Sequence, residues 1–249
     1  MRPRTKALPP HLQAVISDTG TGNLVEIHPS VEVTGKAAIR LSGNGHHLVI
    51  GPGTKLAGCL IELRNQDSSV QIGAGCVIGG QLRCRAPDTH IAIGDKTTIM
   101  AAVITLHEAG RITLGADCML SGNITMDVSD MHSILDAATG TRINPPQDIH
   151  IADHVWIAQG VQVMKGATIG ADCVIGARAL VTGDIPPGSL AIGAPARVQR
   201  SGVTWDRARL PWDEGASDPA PATPARSEPS QDPRPSPLAR MFRARPGSG

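Results

Sequence analysis

Stepping six residues at a time from Ile151 meets an aliphatic side chain at every landing: Ile157, Val163, Ile169, Ile175 and Val181. No other feature restricts the fold so tightly. The fifth place of each hexad holds Val155, Val161, Ala167, Cys173 or Ala179, always small or β-branched, and the second place (Ala152, Ala158, Met164, Gly170, Gly176) is mostly small. Upstream, a double hexad recurs at wider intervals, with starts at Ile27, Ile50, Ile72, Ile93 and Leu114 that lie 23, 22, 21 and 21 residues apart. Between those starts Leu82 and Cys84, Ile104 and Leu106, and Ile124 and Met126 alternate with the period of a half-buried strand. Six residues are too few for an amphipathic helix and too regular for a meander. They fit one flat side of a triangular coil, with the aliphatic residue inward and Gly or Asp at the corner. Coils of this kind stack, pair their strands in parallel and bury continuous aliphatic columns.

Composition agrees with a narrow interior. The chain has three Trp, one Phe and no Tyr, yet 41% of its residues are hydrophobic. Without rings to serve as stacking platforms, a base-stacking nucleic-acid binder is disfavoured. Lys+Arg is 23 against Asp+Glu 22, a formal charge of +1 that leaves no polyanion footprint. No apolar run approaches the roughly 18–20 residues that span a bilayer. Arg2, Arg4 and Lys6 are not followed by an apolar stretch and cleavage site. The expectation is a cytoplasmic protein with no integral membrane segment, working at most at the inner face of the membrane beside glycan-assembly enzymes. Five Cys without a paired CxxC pattern suggest neither a disulfide framework nor a zinc site. Cys76, Cys118 and Cys173 fall at the fifth place of their hexads and read as core packers, Cys84 alternates with Leu82, and Cys59 has no assigned place.

By composition the chain divides into a lead-in or cap over 1–26, the repeat over 27–200, a short extension over 201–212 and a tail over 213–249. That tail holds eight Pro in 37 residues and is expected to be disordered, its Leu238–Arg243 stretch being a solvated end. The repeat breaks once. Between Met126 and Ile151 lie residues that fit no multiple of six, and Gly140, Asn144, Pro145 and Pro146 mark a loop over 127–148. Long loops in compact domains are often functional. His132 sits in this one, preceded by Asp127 and Asp130.

The segments SDMHSI, TGTRIN and IADHVWIAQGVQVMKGATIGADCVIGARALVTGDIPPGSLAIGAPARVQR resemble the hexapeptide-repeat O-acetyltransferases of bacterial polysaccharide and sugar modification. The likeness runs from about Leu114 to Arg200 and extends to the coils upstream. It implies an all-β fold, a left-handed parallel β-helix with an extruded catalytic loop, and a homotrimer using acetyl-CoA without a metal. It places the general base on His132, and Trp156 near that His at a subunit interface. Gly193–Arg197, with the sequence GAPAR, corresponds to a segment that helps hold coenzyme A. Carried over position by position, the coenzyme contacts fall at Gln159, Ala177, Thr182, Arg197 and Arg200. Two departures stand out. Gly183 replaces a frequent basic residue, and Ala101 or Ala102 stands where the free-sugar branch places an Asn near the His. The acceptor is therefore expected to be a glycan, glycolipid or nucleotide-sugar precursor.

The chemistry suits these residues. A neutral imidazole, with ordinary pKa near ~6.5, can take the proton of an attacking sugar hydroxyl, which typically contributes ~10²–10⁴-fold. Asp130 or Asp127 could orient the ring. Backbone N–H groups or the Trp156 indole could meet the oxyanion. No protein nucleophile is needed, so a direct ternary-complex reaction is the simplest scheme. His46 and His47 read as surface residues, and His107 as a structural ion pair with Asp127 that could share in acceptor binding. His150 and His154 do not form a helix-type metal pair. Other readings on the same scaffold are N-acetylation of an amino sugar, a non-enzymatic β-solenoid scaffold, and a zinc carbonic anhydrase, which would need three convergent His.

Overall fold

A computed structural model of the chain describes residues 8–212. The tail over 213–249, with its Leu238–Arg243 stretch, lies outside them. One short helix, Pro10–Gln13, precedes a stack of strands paired almost entirely in parallel. The repeat starts form a single register column: Ile27, Ile50, Ile72, Ile93, Leu114, Ile151 and Ile169 are neighbours in turn. They line the first side of a three-sided solenoid. The second side stacks Leu56, Ile78, Ile99, Leu120, Ile157, Ile175 and Ala191. The third stacks Ile39, Ile61, Leu82, Ile104, Met126, Val163 and Val181. All these columns point inward and are buried, so the core they build is an aliphatic rod.

The fifth-place column explains its own composition. Thr54 and Thr97 are fully buried, and each hydroxyl donates to the carbonyl of Gly73 or Gly115 on the next coil. Each also accepts the N–H of Cys76 or Cys118. A small residue with a polar atom fits this corner, which suits Thr and Cys equally. All five Cys are free and buried, Cys59 included. Burial pushes the Cys59 and Cys118 thiols up to about 11 and Cys84 to about 12. Groups held so far from ionisation serve as packing and not as nucleophiles. Where the second side turns into the third, Gly80 adopts φ +85, and a Cβ there would sit 2.2 Å from the Ala102 carbonyl oxygen. Only glycine turns that corner against the next coil.

The strand stack reaches further toward the N-terminus than the repeat read from the sequence. The solenoid begins before residue 27: Ile16–Asp18 already pairs with Ala38–Asn44, and Leu24–Ile27 with His47–Ile50. The first coil lacks aliphatic hexads because the Pro10–Gln13 helix covers its end, driving Leu12 into the core. At the other end Arg197–Ser201 turns back antiparallel along Ser189–Ile192 and closes the stack. Residues beyond it run down the second side, where the Arg207 guanidinium binds Asp117, the Thr98 hydroxyl and the Lys96 and Cys118 carbonyls. His46, expected at the surface, is 1% exposed. It stands in the corner column above which Ser68 and Thr89 follow, and its Nδ1 accepts the Ser68 N–H. The expectation for His47 fares better, since it is part-exposed and paired with Glu26.

Candidate active site

The chain leaves the solenoid after Asp127, at the edge between the third and first sides, and returns at Ile149. Leu114 and Ile151 remain direct neighbours, so the excursion leaves the stack undisturbed. The loop is built and fastened. Leu135 and Arg142 bridge antiparallel, and the Asp136 carboxylate caps the turn between them by accepting the Ala138 and Thr139 N–H groups. Asn144, buried at the loop's base, joins four points. Its Oδ1 accepts from the Ile134 N–H and the Arg142 Nε, and its Nδ2 donates to Asp130 and to the His132 carbonyl.

Two ion pairs tie this knot to the solenoid. Arg142 grips both oxygens of Glu108 at 2.7 and 2.6 Å, and the Ser129 hydroxyl adds a third donor. Lys165, from the coil above, donates to Asp130 at 2.5 Å and to the Pro145 carbonyl. Hydrogen bonds from Arg142 and Ser129 pull the Glu108 carboxyl down to about 2. Those from Lys165 and Asn144 hold Asp130 below the usual carboxylate range.

His132 stands exposed on this loop, its N–H donating to the Asp130 carbonyl. Among the described residues its ring has no hydrogen-bond partner. The expected orienting carboxylates are engaged elsewhere, Asp130 by Lys165 and Asn144 and Asp127 by the Nδ1 of His107. An ammonium and an amide donor within reach outcompete a ring on an exposed loop. The His107–Asp127 ion pair forms as expected.

Trp156 lies on the second side between Met119 and Val174, its indole nitrogen buried without a partner. Trp205 of the C-terminal extension packs beside it at 6.2 Å, stacks on His154 and donates its own N–H to the His154 carbonyl. In a three-sided prism the second side does not border the edge from which the loop leaves. His132 and Trp156 of one chain therefore sit on opposite flanks.

The expected coenzyme residues distribute unevenly. Gln159 and Ala177 stack on successive coils at the edge between the second and third sides, where the Arg178 N–H donates to the Gln159 carbonyl. Arg197 joins that edge by pairing with Ile192. Thr182 lies at the far end of the third side, above Met164, and Arg200 pairs with Leu190 on the second side. Gln159 and Ala177 are exposed residues, and their amide N–H groups are unclaimed by other backbone groups among the described residues.

Beneath the loop the outer face of the third side forms an open cleft of about 560 Å³. Arg83, Thr105, Thr125, Asp127, His107 and Gln162 contribute to its lining. Arg83, Glu108, Arg142, Asn144, Lys165 and Trp205 were not read as site residues from the sequence. Trp205 could have been, as one of three Trp in a chain almost without rings. His150 bonds Thr113, and His154 pairs with Asp172. No group of three or more His, Cys, Asp or Glu among the described residues is placed to hold a metal, and no helix there is long and apolar enough to cross a membrane.

A family profile described as bacterial transferase hexapeptide (six repeats) matches residues 148–183. Over 150 residues, 60% of this chain and 69% of the relative, the sequence is 30% identical to a polysialic acid O-acetyltransferase of Neisseria meningitidis. The chain belongs to the hexapeptide-repeat acetyltransferases. A polysialic acid O-acetyltransferase of Escherichia coli O1:K1 / APEC is 32% identical over 48% of this chain and 39% of its own length. Among solved structures, the polysialic acid O-acetyltransferase OatWY superposes with a TM-score of 0.73 at 26% identity, covering 78% of this chain and 92% of that one. This acyltransferase thus shares sequence and fold with enzymes named for acetylating glycans.

Proposed function

We propose that this acetyltransferase moves an acetyl group from acetyl-CoA to a hydroxyl of a sugar in a polysaccharide, glycolipid or nucleotide-sugar precursor. The observation that carries the proposal is the loop that interrupts the repeat, fastened by Asn144, Arg142–Glu108 and Lys165–Asp130, with His132 held out on it. A solenoid that only scaffolds has no need of a tied loop presenting an unpartnered imidazole. The relatives named as polysialic acid and galactoside O-acetyltransferases support a sugar acceptor.

Acetyl-CoA fits the edge of Gln159, Ala177 and Arg197. Strands of neighbouring coils lie about 4.8 Å apart, so unclaimed N–H groups on successive corners suit the amide-bearing pantetheine arm. Arg197 and Arg200 offer charge-assisted contacts to its phosphates. Bound there, the thioester supplies the activated acetyl group. His132 takes the proton of the attacking hydroxyl, and a backbone N–H at a coil corner, or the Trp156 N–H once it is uncovered, meets the developing oxyanion. Because the two residues lie on opposite flanks of one chain, a complete site needs His132 of one protomer beside the partner's second side. Threefold packing of a prism provides that arrangement.

A second position for the base has one observation in its favour. His107, oriented by Asp127, lines the cleft within a single chain. Paired variants decide between them, with acetyl-CoA consumption measured over a panel of glycans and sugar nucleotides. His132→Ala should lower turnover at least ~100-fold while leaving coenzyme binding and fold in place. Turnover above about a tenth of wild type in that variant, with turnover lost in His107→Ala, would move the base to His107.

A further inference from the structure

Beyond Ser201 the chain runs as a strap down the margin of the second side, at the corner shared with the first. It is tied to successive coils. The Val203 N–H donates to the Gly188 carbonyl, the Thr204 hydroxyl to Asp172, the Trp205 indole to the His154 carbonyl and the Arg207 guanidinium to Asp117. Trp205 is buried, stacked on the His154 ring at 4.4 Å, with the Arg207 guanidinium 5.5 Å from its own ring. It also packs 6.2 Å from Trp156, whose N–H is buried without a partner among the described residues. A buried N–H without an acceptor has lost its water and gained nothing in exchange, so this position is unfavourable for the Trp156 indole. The strap contributes to none of the aliphatic columns. Trp205 apart, its ties are polar and lie near the surface, and segments held in that way open more readily than the fold unravels. Gly202 joins it to the closing strand in the left-handed region, at φ +72, with open space where a Cβ would stand. Such a residue can absorb a large backbone rotation. At the other end Leu210 and Trp212 stay exposed, so this seat leaves two large apolar side chains of the extension unburied.

We propose that residues 203–209 are an autoinhibitory strap: in the position seen here Trp205 seals Trp156, and acetyl transfer requires the strap to swing away about Gly202. The inference rests on the acetyl-transfer reading, with Trp156 in a site completed by a neighbouring protomer. Under that reading His132 of one protomer must come beside the second side of the next, and Trp205 stands against Trp156 on that side. Strap and loop therefore compete for one surface, and only the open strap frees the Trp156 N–H. Coenzyme binding is separate, because Gln159, Ala177 and Arg197 line the other edge of the second side. The strap thus governs turnover and leaves access of acetyl-CoA alone.

The test closes and loosens the strap in the full chain. Thr204→Cys with Asp172→Cys replaces one tie by a disulfide, and the five native Cys are buried, so the new pair oxidises selectively. Arg207→Ala loosens the strap from the other end. Three quantities are measured: turnover of acetyl-CoA with a glycan acceptor, coenzyme A affinity by calorimetry, and hydrogen exchange of the Trp156 indole N–H by nuclear magnetic resonance. Oxidation should slow turnover and indole exchange at least about tenfold, because it removes the open population, and reduction should restore both. Coenzyme A affinity should stay within about twofold throughout, and Arg207→Ala should raise turnover and exchange about threefold or more. Wild-type turnover in the oxidised pair, or an Arg207→Ala variant with wild-type circular dichroism and neither rate raised, would overturn the proposal and make the strap a structural staple. Arg207→Ala carries the test alone where the pair does not oxidise. If no form acetylates any glycan, the acetyl-transfer reading fails. Indole exchange then still decides the seal: equal rates in all forms overturn it, and rates that follow the strap support it.

Discussion

Asn144→Ala should slow the enzyme without unfolding it. The amide makes four hydrogen bonds, two of them to the backbone, at the Ile134 N–H and the His132 carbonyl. Each contributes about 0.5–1.5 kcal/mol net. Their partners can turn to water once the loop opens, so the lower part of that range applies to each. Together they amount to about 2–4 kcal/mol of preference for the closed loop. The Arg142–Glu108 and Lys165–Asp130 ties remain and limit the opening, so turnover should fall about 10- to 100-fold and not vanish. KM for acetyl-CoA should stay close to wild type, because Gln159, Ala177 and Arg197 lie on another edge. Asn144 is no part of the aliphatic columns, and the melting temperature should move by no more than a few degrees. Asn144→Asp should lose more, because it removes both N–H donors and sets a second carboxylate against Asp130. Steady-state kinetics and hydrogen exchange at the Ile134 and Ile143 amides check this together. Wild-type turnover with unprotected loop amides would show that loop order does not serve the chemistry, and the reasoning would fail.

Arg197→Ala and Arg200→Ala should each weaken coenzyme A binding more than acceptor binding, which calorimetry with both ligands would show; unchanged affinity in both variants refutes those roles. The Glu108 carboxyl is pulled down to about 2 by its donors, so the stability it lends the loop is fully present above its ordinary value of 4.5 and is lost as pH falls toward 2. Proteolysis by an acid protease within Leu135–Arg142 should accelerate over that interval, and Glu108→Gln should abolish the acceleration. Light scattering at micromolar concentration should give about three times 25.9 kDa. Mixed trimers of inactive His132→Ala and inactive Trp156→Ala chains should regain activity, because some interfaces then carry both intact residues. A monomer, or verified mixed trimers without activity, would show that each chain works alone.

What could be read from the sequence follows from what repeats. Each coil must place an aliphatic residue in the same rod, so Ile27 through Ile169 appear as a column before any coordinates do, and register pairs them as the spacing requires. The loop was visible for the complementary reason, as the one stretch the period does not fit. Residues that hold the loop repeat nothing. Glu108 meets Arg142 across 34 positions and Lys165 meets Asp130 across 35, and each pair forms only once the coils are stacked. His46 misled because a polar residue in an irregular stretch reads as surface, yet its corner hydrogen bond to the Ser68 N–H is satisfied inside. Trp205 gave no pattern, since a single ring folded back on His154 and Trp156 has no neighbours in a series.

The same distinction explains where chemistry can sit on this scaffold. The columns tolerate almost no polar change, because each inward place is shared with the coils above and below. Outward places on the flat sides are free of that demand, and so are residues on the extruded loop. The outer face of the third side, the corners and the loop are therefore the places free to carry functional groups, and Arg83, Gln159 and His132 stand there. A flat side alone offers a ligand only a floor. The loop supplies one wall of the cleft, and a neighbouring prism is the simplest source of another. Specificity on such a fold then depends on which few outward side chains are left without partners. Among the described residues, the Arg83 Nε, the His132 ring and the Trp156 indole N–H are three such groups.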